Sequence, residues 1–250
     1  MGDMGISRLE HDHQPEAIEE RLNQGIRHSY VGDAVLGGID GCVTTFAVVA
    51  GAVGAGFPHG VAITLGFANL FADGFSMAVS NYQATRSQHE LLDAAWRQEE
   101  RHIDMVPEGE REEIRQIYSR KGLHGKALED IVNAITSDKN LWIETMIKEE
   151  LGMQTDVPSA GRAAITTFLA FLAVGLMPLL PLFVFTLPLK EVFFVSMLNA
   201  GLAFFLVGFL KGRITGAPPL RSGTSTLLTG GTAAALAYLT GYTLQRILGV

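Results

Sequence analysis

The chain has one cysteine, Cys42, in 250 residues. An intrachain disulfide is therefore excluded, and Cys42, set inside an apolar run, is expected to pack as a small buried side chain. No segment alternates apolar and polar residues as a half-buried strand does, which leaves helices as the regular structure. Residues 1–14 are polar and lack the apolar core of a cleaved signal sequence, so the first apolar run is expected to direct membrane insertion. Charge is missing from five long segments, 35–57, 60–82, 163–185, 192–210 and 225–247, whose only charged residues are Asp40, Asp73 and, at the last edge, Arg246.

Hydrophobic residues make up 48% of the chain and its mean hydropathy is +0.24, high for a soluble globular protein. Each of the five segments is about as long as the roughly 20 helical residues that cross a hydrocarbon core. The predicted fold is an all-α integral membrane protein with five transmembrane helices. A net charge of −7 sets nucleic acid aside as a partner and leaves the lipid bilayer as the main one.

Basic residues orient the bundle. Of 19 Lys and Arg, three precede the first segment, eleven lie in 84–162 and three in the fourth connection (Lys211, Arg213, Arg221), all on one side. Only Lys190 and Arg246 fall opposite. The excess of positive charge predicts that the amino terminus, the insert and the fourth connection are cytoplasmic. The compact amino terminus favours a bacterial inner membrane over a vacuole.

Four parts follow: a tail with a short amphipathic helix (1–29), transmembrane helices 1–2 (30–83), an acidic insert (84–161) and transmembrane helices 3–5 (162–250). The insert holds 16 Asp and Glu against 10 Lys and Arg. No Gly or Pro interrupts 76–106, so the second transmembrane helix should continue into the cytosol and stop at Pro107. Glu99 would then stand about 25 Å beyond Tyr82. Further helices are expected over 108–121, over 126–136, and from a Ser137/Asp138 cap to Gly152. Small residues at Gly37/Gly41, Gly51/Ala55 and Gly208/Gly212 have the spacing of close helix packing, within the chain or across a dimer.

The acids inside the apolar segments carry the functional signal. A carboxylate there is costly and faces a partner, a cavity or a transported ion, and no Lys or Arg is available within the membrane to pair with Asp40 or Asp73. Asn69, Asp73 and Met77 follow at i, i+4 and i+8 and make one helical face polar. Met77 should lie at the depth of Asp40, with Thr44 and Thr45 about a turn away. Oxygen donors with one sulfur suit a first-row divalent cation such as Fe2+. In the insert, Glu99/His102, Glu110/Glu113 and Met146/Glu150 pair ligand types on one face of three successive helices. Trp142 and Ile143 are assigned to the core, and Glu100, Glu112, Glu144 and Glu149 to solvent. His11-Asp12-His13 reads as a polar tail rather than a metal site.

The stretch Gly38-Ile39-Asp40-Gly41-Cys42-Val43-Thr44-Thr45-Phe46-Ala47-Val48-Val49-Ala50-Gly51, followed by Ala72-Asp73-Gly74-Phe75-Ser76-Met77, resembles the vacuolar iron transporter family. So do Val106-Pro107, the segment from Trp142 to Gly152, and the connection from Lys211-Gly212 to Arg221-Ser222. The resemblance covers residue 30 to the carboxy terminus. It implies a five-helix homodimer that exports Fe2+, often Mn2+ too, from the cytosol in exchange for protons, with an insert that binds metal first. Co2+ or Zn2+ would suit the same insert donors. Carried over by position, the membrane site falls on Asp40 and Met77, and the insert ligands on Glu99, Glu110, Glu113, Met146 and Glu150. The chain departs from the family at Asn69 and His102, where the family has Glu, and at Ile147, where it has Met. Asp73 stands one turn from Asn69.

The expected function is transport rather than catalysis. Two other readings stay open on the residues alone. Glu-x-x-His is also the spacing of ferritin-like di-iron proteins, which would make the insert a membrane-tethered ferroxidase, although only Glu99/His102 has it. An acidic domain that mediates dimerisation without metal is the other.

Overall fold

The computed structural model describes residues 14–23, 29–184 and 188–248. Among them there are ten helices and no strand: α1 Pro15–Asn23, α2 Val31–Gly54, α3 His59–Met105, α4 Pro107–Arg120, α5 Gly125–Thr136, α6 Lys139–Glu149, α7 Ala160–Gly175, α8 Leu180–Val184, α9 Leu189–Thr215 and α10 Pro219–Leu248. His11-Asp12-His13 and residues 24–28 of the amino-terminal tail lie outside the described residues.

Among the described residues, three helices are long and apolar enough to cross a membrane: Val31–Gly54, His59–Met105 and Glu191–Thr215. α7 is apolar but spans 16 residues, and the apolar content of α10 is diluted by repeated Gly and Thr. α2 sits at the centre of the bundle and packs against α3, α7, α9 and α10. Phe171, Val49, Leu179 and Val192 are fully buried between these helices, as is Cys42.

The apolar segment 163–185 is not one helix. It breaks after Gly175, turns through 176–179 and resumes as α8. Pro178 and Pro181 lack the N–H that would continue the ladder, and their rings crowd the preceding turn. The freed carbonyls find side chains: Met177 O accepts from Asn199 Nδ2 at 2.5 Å, and Pro178 O from Ser196 Oγ at 2.5 Å. His59 Nε2 lies 2.8 Å from Leu182 O. Protein groups thus replace the partners that the broken ladder loses.

The small-residue pairs are used within the chain. A Cβ on Gly41 would sit 2.4 Å from the Phe171 carbonyl oxygen, and one on Gly241 would sit 2.2 Å from that of Gly51. Gly208 and Gly212 admit α10 in the same way. These contacts bring α7 and α10 onto α2 and α9, so none of the three spacings is needed to explain a dimer.

Beyond its apolar half, α3 continues without a break to Met105, as predicted. α4, α5 and α6 then fold back onto its distal part, around Ile103, Ile114, Val132, Ile143 and Met146. Trp142 is buried with them. Pro107 opens α4 at its first position, Gly122 (φ +94°) ends it, and Asp138 caps α6 by accepting from the Asn140 and Leu141 N–H groups. Ion pairs hold the outside: Lys139 with Asp104 at 2.7 Å and Glu100 at 3.4 Å, Arg115 with Glu129 at 2.9 Å and with Glu112, Lys121 with Glu149, and Lys148 with Glu144 at 2.5 Å. Glu100, Glu112, Glu144 and Glu149 therefore face outward, as assigned from the sequence.

Candidate metal centre

α3 ends where Val106 N–H bonds to the His102 carbonyl at 2.8 Å, because Pro107 disfavours helical backbone at the residue before it. α4 starts at once in a new direction. Its first turns bring Glu110 against the last turns of α3, which carry Glu99 and His102 on one face.

One ligand atom from each of Glu99, His102 and Glu110 lies within 4.8 Å of the others. His102 Nδ1 is 3.5 Å from Glu110 Oε1. Glu99 is 2% exposed and Glu110 5%, and His102 closes the group on the solvent side. The Oε2 atoms of both glutamates are buried without a hydrogen-bond partner. An orphaned buried acceptor costs about 1–3 kcal/mol, more when charged, so two in one place form a donor set suited to a cation.

Two more carboxylates, the exposed Glu113 and Glu150, lie within electrostatic range of this group. The Glu110 carboxyl is pushed up to about 7, first by burial and then by the charges of Glu113, Glu99 and Glu150, with His102 opposing. Glu150 is raised by burial and then by Glu113 and Glu99. Glu99 is raised by burial, with Glu113 adding to the shift and His102 working against it. Five of the six insert residues singled out from the sequence thus share one electrostatic neighbourhood. The sixth, Met146, is fully buried in the adjoining core, one turn before Glu150. Carboxylate oxygens with an imidazole nitrogen and a nearby thioether suit a first-row divalent metal better than Mg2+ or Ca2+.

In the apolar half, Asp40 on α2 and Asp73 on α3 are half-buried, and Asp40 lies within electrostatic range of Asp73. Asn69 Nδ2 and Thr45 Oγ1 are buried without a partner, whereas Thr44 Oγ1 donates to the Asp40 carbonyl at 2.9 Å. Met77 is half-buried and packs against the cluster that contains Leu70 and Phe171. The sequence set Met77 opposite Asp40; the electrostatic neighbour that the structure gives Asp40 is Asp73.

Between the two groups the structure adds residues that the sequence reading passed over. Asn81 Nδ2 donates to Asp33 Oδ1 at 2.8 Å and to Thr167 Oγ1 at 2.7 Å, tying α2, α3 and α7 together. Asp33 and Asn81 border a cleft of about 470 Å³, also lined by Thr85, Gln88 and Asp156. A signal was present: the stripe of Asn69, Asp73 and Met77 continues at the same spacing to Asn81 and Thr85.

The profile of the VIT family matches residues 31–242. Vacuolar iron transporter 2 of Oryza sativa subsp. japonica is 36% identical over 219 residues, which cover 87% of this chain and 88% of that protein. Vacuolar iron transporter 1 of Tulipa gesneriana is 32% identical over 218 residues, with 87% and 88% covered. The vacuolar iron transporter of Toxoplasma gondii is 31% identical over 229 residues, with 88% and 76% covered.

Proposed function

Because the chain belongs to the VIT family, we propose that it carries Fe2+ out of the cytosol across a membrane, collecting the ion at the α3–α4 junction and passing it between α2 and α3. Metal-ion transport across a membrane, not catalysis, is the activity that the transporter names of its relatives support. The observation that carries the route is the shared position of both candidate sites on α3: Asp73 lies in its apolar half, and Glu99 and His102 at its far end.

In this reading α7 with α8, and α10, complete five spans, and 84–161 is a cytosolic domain. Glu99, His102, Glu110, Glu113 and Glu150 hold the arriving ion, with Met146 offering a thioether. Asp40 and Asp73 then receive it, with Asn69 and Met77 lining the path. The Asp33/Asn81 cleft lies between the two along α3.

Two carboxylates within electrostatic range bind either a divalent cation or protons, so exchange follows from competition for the same oxygens. The donor set accepts Mn2+ as a second substrate. The transporter acts as a homodimer in this reading, on a face other than the glycine contacts already filled within the chain.

Proteoliposomes loaded with an Fe2+-sensitive dye test the reading. Uptake should depend on a pH gradient and fall to background in Asp40→Ala. Wild-type uptake by Asp40→Ala would sink the membrane site. Rapid oxygen consumption by the full-length protein on adding Fe2+, without uptake, would instead favour a ferroxidase.

A further inference from the structure

We propose that the turn between α9 and α10 is a binding site for the phosphate of an anionic phospholipid. The turn encloses a cleft of about 330 Å³, lined by Lys211 from the end of α9 and by Arg221, Ser222 and Ser225 from the start of α10. Two cations and two hydroxyls around one cleft are the donors that a phosphate group requires.

The neighbouring sequence offers them no counter-charge. No Asp or Glu follows Glu191 in the sequence, whereas Lys211, Arg213, Arg221 and Arg246 all do, in a chain whose net charge is −7. Among the described residues, none of Lys211, Arg213 and Arg221 makes an ion pair or a side-chain hydrogen bond. In the α4–α6 region, by contrast, Arg115, Lys121, Lys139 and Lys148 all have carboxylate partners.

The walls are held in place. Gly216, at φ +71°, reverses the chain in a backbone conformation that L side chains rarely adopt. A Cβ on Gly212 would fall 2.8 Å from Pro219 Cα, so α9 and α10 meet closely beneath the cleft. The first intrahelical bond of α10 runs from Ser222 N–H to the Pro218 carbonyl at 3.0 Å, so the positive end of this 30-residue helix adds to the two side chains.

The surroundings select a lipid over a free anion. α9 is one of the three helices long and apolar enough to span a membrane. Around the charged cleft, Leu210, Ile214 and Leu220 are each more than half exposed. A phosphate in the cleft would thus have apolar surface beside it for its acyl chains, which inorganic phosphate cannot use.

Native mass spectrometry of the full-length protein in non-ionic detergent tests this, with dioleoylphosphatidylglycerol or dioleoylphosphatidylcholine as the added lipid. The wild type should retain the anionic lipid preferentially, and Lys211→Gln/Arg221→Gln should reduce that retention by about tenfold. Lys211→Arg/Arg221→Lys, which keeps both charges, and Arg246→Gln, at the far end of α10, should retain it. Co2+ binding verifies that the neutral variant is folded; if it is not, the comparison of the two lipids on the wild type decides. Equal retention of both lipids by the wild type, undiminished retention by the folded neutral variant, or displacement by millimolar inorganic phosphate would each overturn the assignment.

Discussion

His102 Nδ1 stands 3.5 Å from Oε1 of Glu110, although the two residues belong to different helices. Along one continuous helix, eight residues would separate them by about 12 Å. The reversal at Val106-Pro107 closes that gap and aims both groups at the buried Glu99. Four predictions follow from this site and from the bundle that carries it.

Replacing Glu110 by Gln removes one buried carboxylate from a cluster whose other members repel it. Co2+ affinity of the full-length protein should drop at least about tenfold, since a charged ligand is lost. The metal-free protein should melt at a higher temperature than the wild type, because like-charge repulsion is relieved. Thermal shift with and without Co2+ measures both. A variant with unchanged metal-induced stabilisation would remove Glu110 from the ligand set.

The pH dependence has opposite signs with and without metal. With its carboxyl pushed up to about 7, Glu110 holds a proton below that pH, and an arriving cation has to expel it. Apparent Co2+ affinity should fall by about tenfold per unit as pH drops below 7 and level off above it. In the metal-free protein the folded value lies above the ordinary 4.5, so between 4.5 and 7 the fold binds more protons than the unfolded chain. The contribution of this group to stability therefore decreases as pH rises through that window. Calorimetry in buffers of different ionisation enthalpy would read the expelled proton directly. A flat affinity profile across neutrality would contradict the assignment.

Asn81 bonds to both Asp33 and Thr167, so Asn81→Ala should loosen three helices together. Two bonds, one to a carboxylate, predict a loss of about 1–3 kcal/mol, read as a lowered melting temperature in detergent. Asn81→Asp should be worse, because it sets a second carboxylate against Asp33. Equal stability of Asn81→Asp and wild type would show that the network carries no stabilisation.

At Gly41 a single methyl group should separate α2 from α7, since its nearest neighbour would be backbone only 2.4 Å away. Gly41→Ala is expected to destabilise by about 1–3 kcal/mol, the usual range for overpacking. Gly60→Ala, with nothing within 4 Å, serves as the control and should be neutral or slightly stabilising. Indistinguishable melting of the two variants would undo the packing account.

The parts legible in the sequence are those governed by local rules. Pro107, Gly122, Asp138 and Gly152 punctuate the acidic region by backbone preferences that each residue carries with it. The uninterrupted α3 and the pairing of Glu99 with His102 follow from helical spacing. The break at Pro178 was hidden because an apolar count treats proline as one more residue in the run. Its cure, by Ser196 and Asn199 on another helix, is invisible until the two are packed. The union of Asp33, Asn81 and Thr167 likewise needs three segments brought together. The glycine spacings announced close contact without saying with what, and only the packing names α7 and α10.

α3 has a mechanical consequence. Met77 and Glu99 are 22 residues apart on one unbroken helix, a separation of about 33 Å. A tilt of about 5° in the membrane would then swing the outer end sideways by about 3 Å, more than the length of a typical metal–oxygen bond of about 2 Å. A ligand sphere assembled partly from α3 and partly from α4 senses such a swing as a change in affinity if α4 does not follow it. By reciprocity, a metal ion clamped at the tip would bias the angle at which the helix crosses the bilayer.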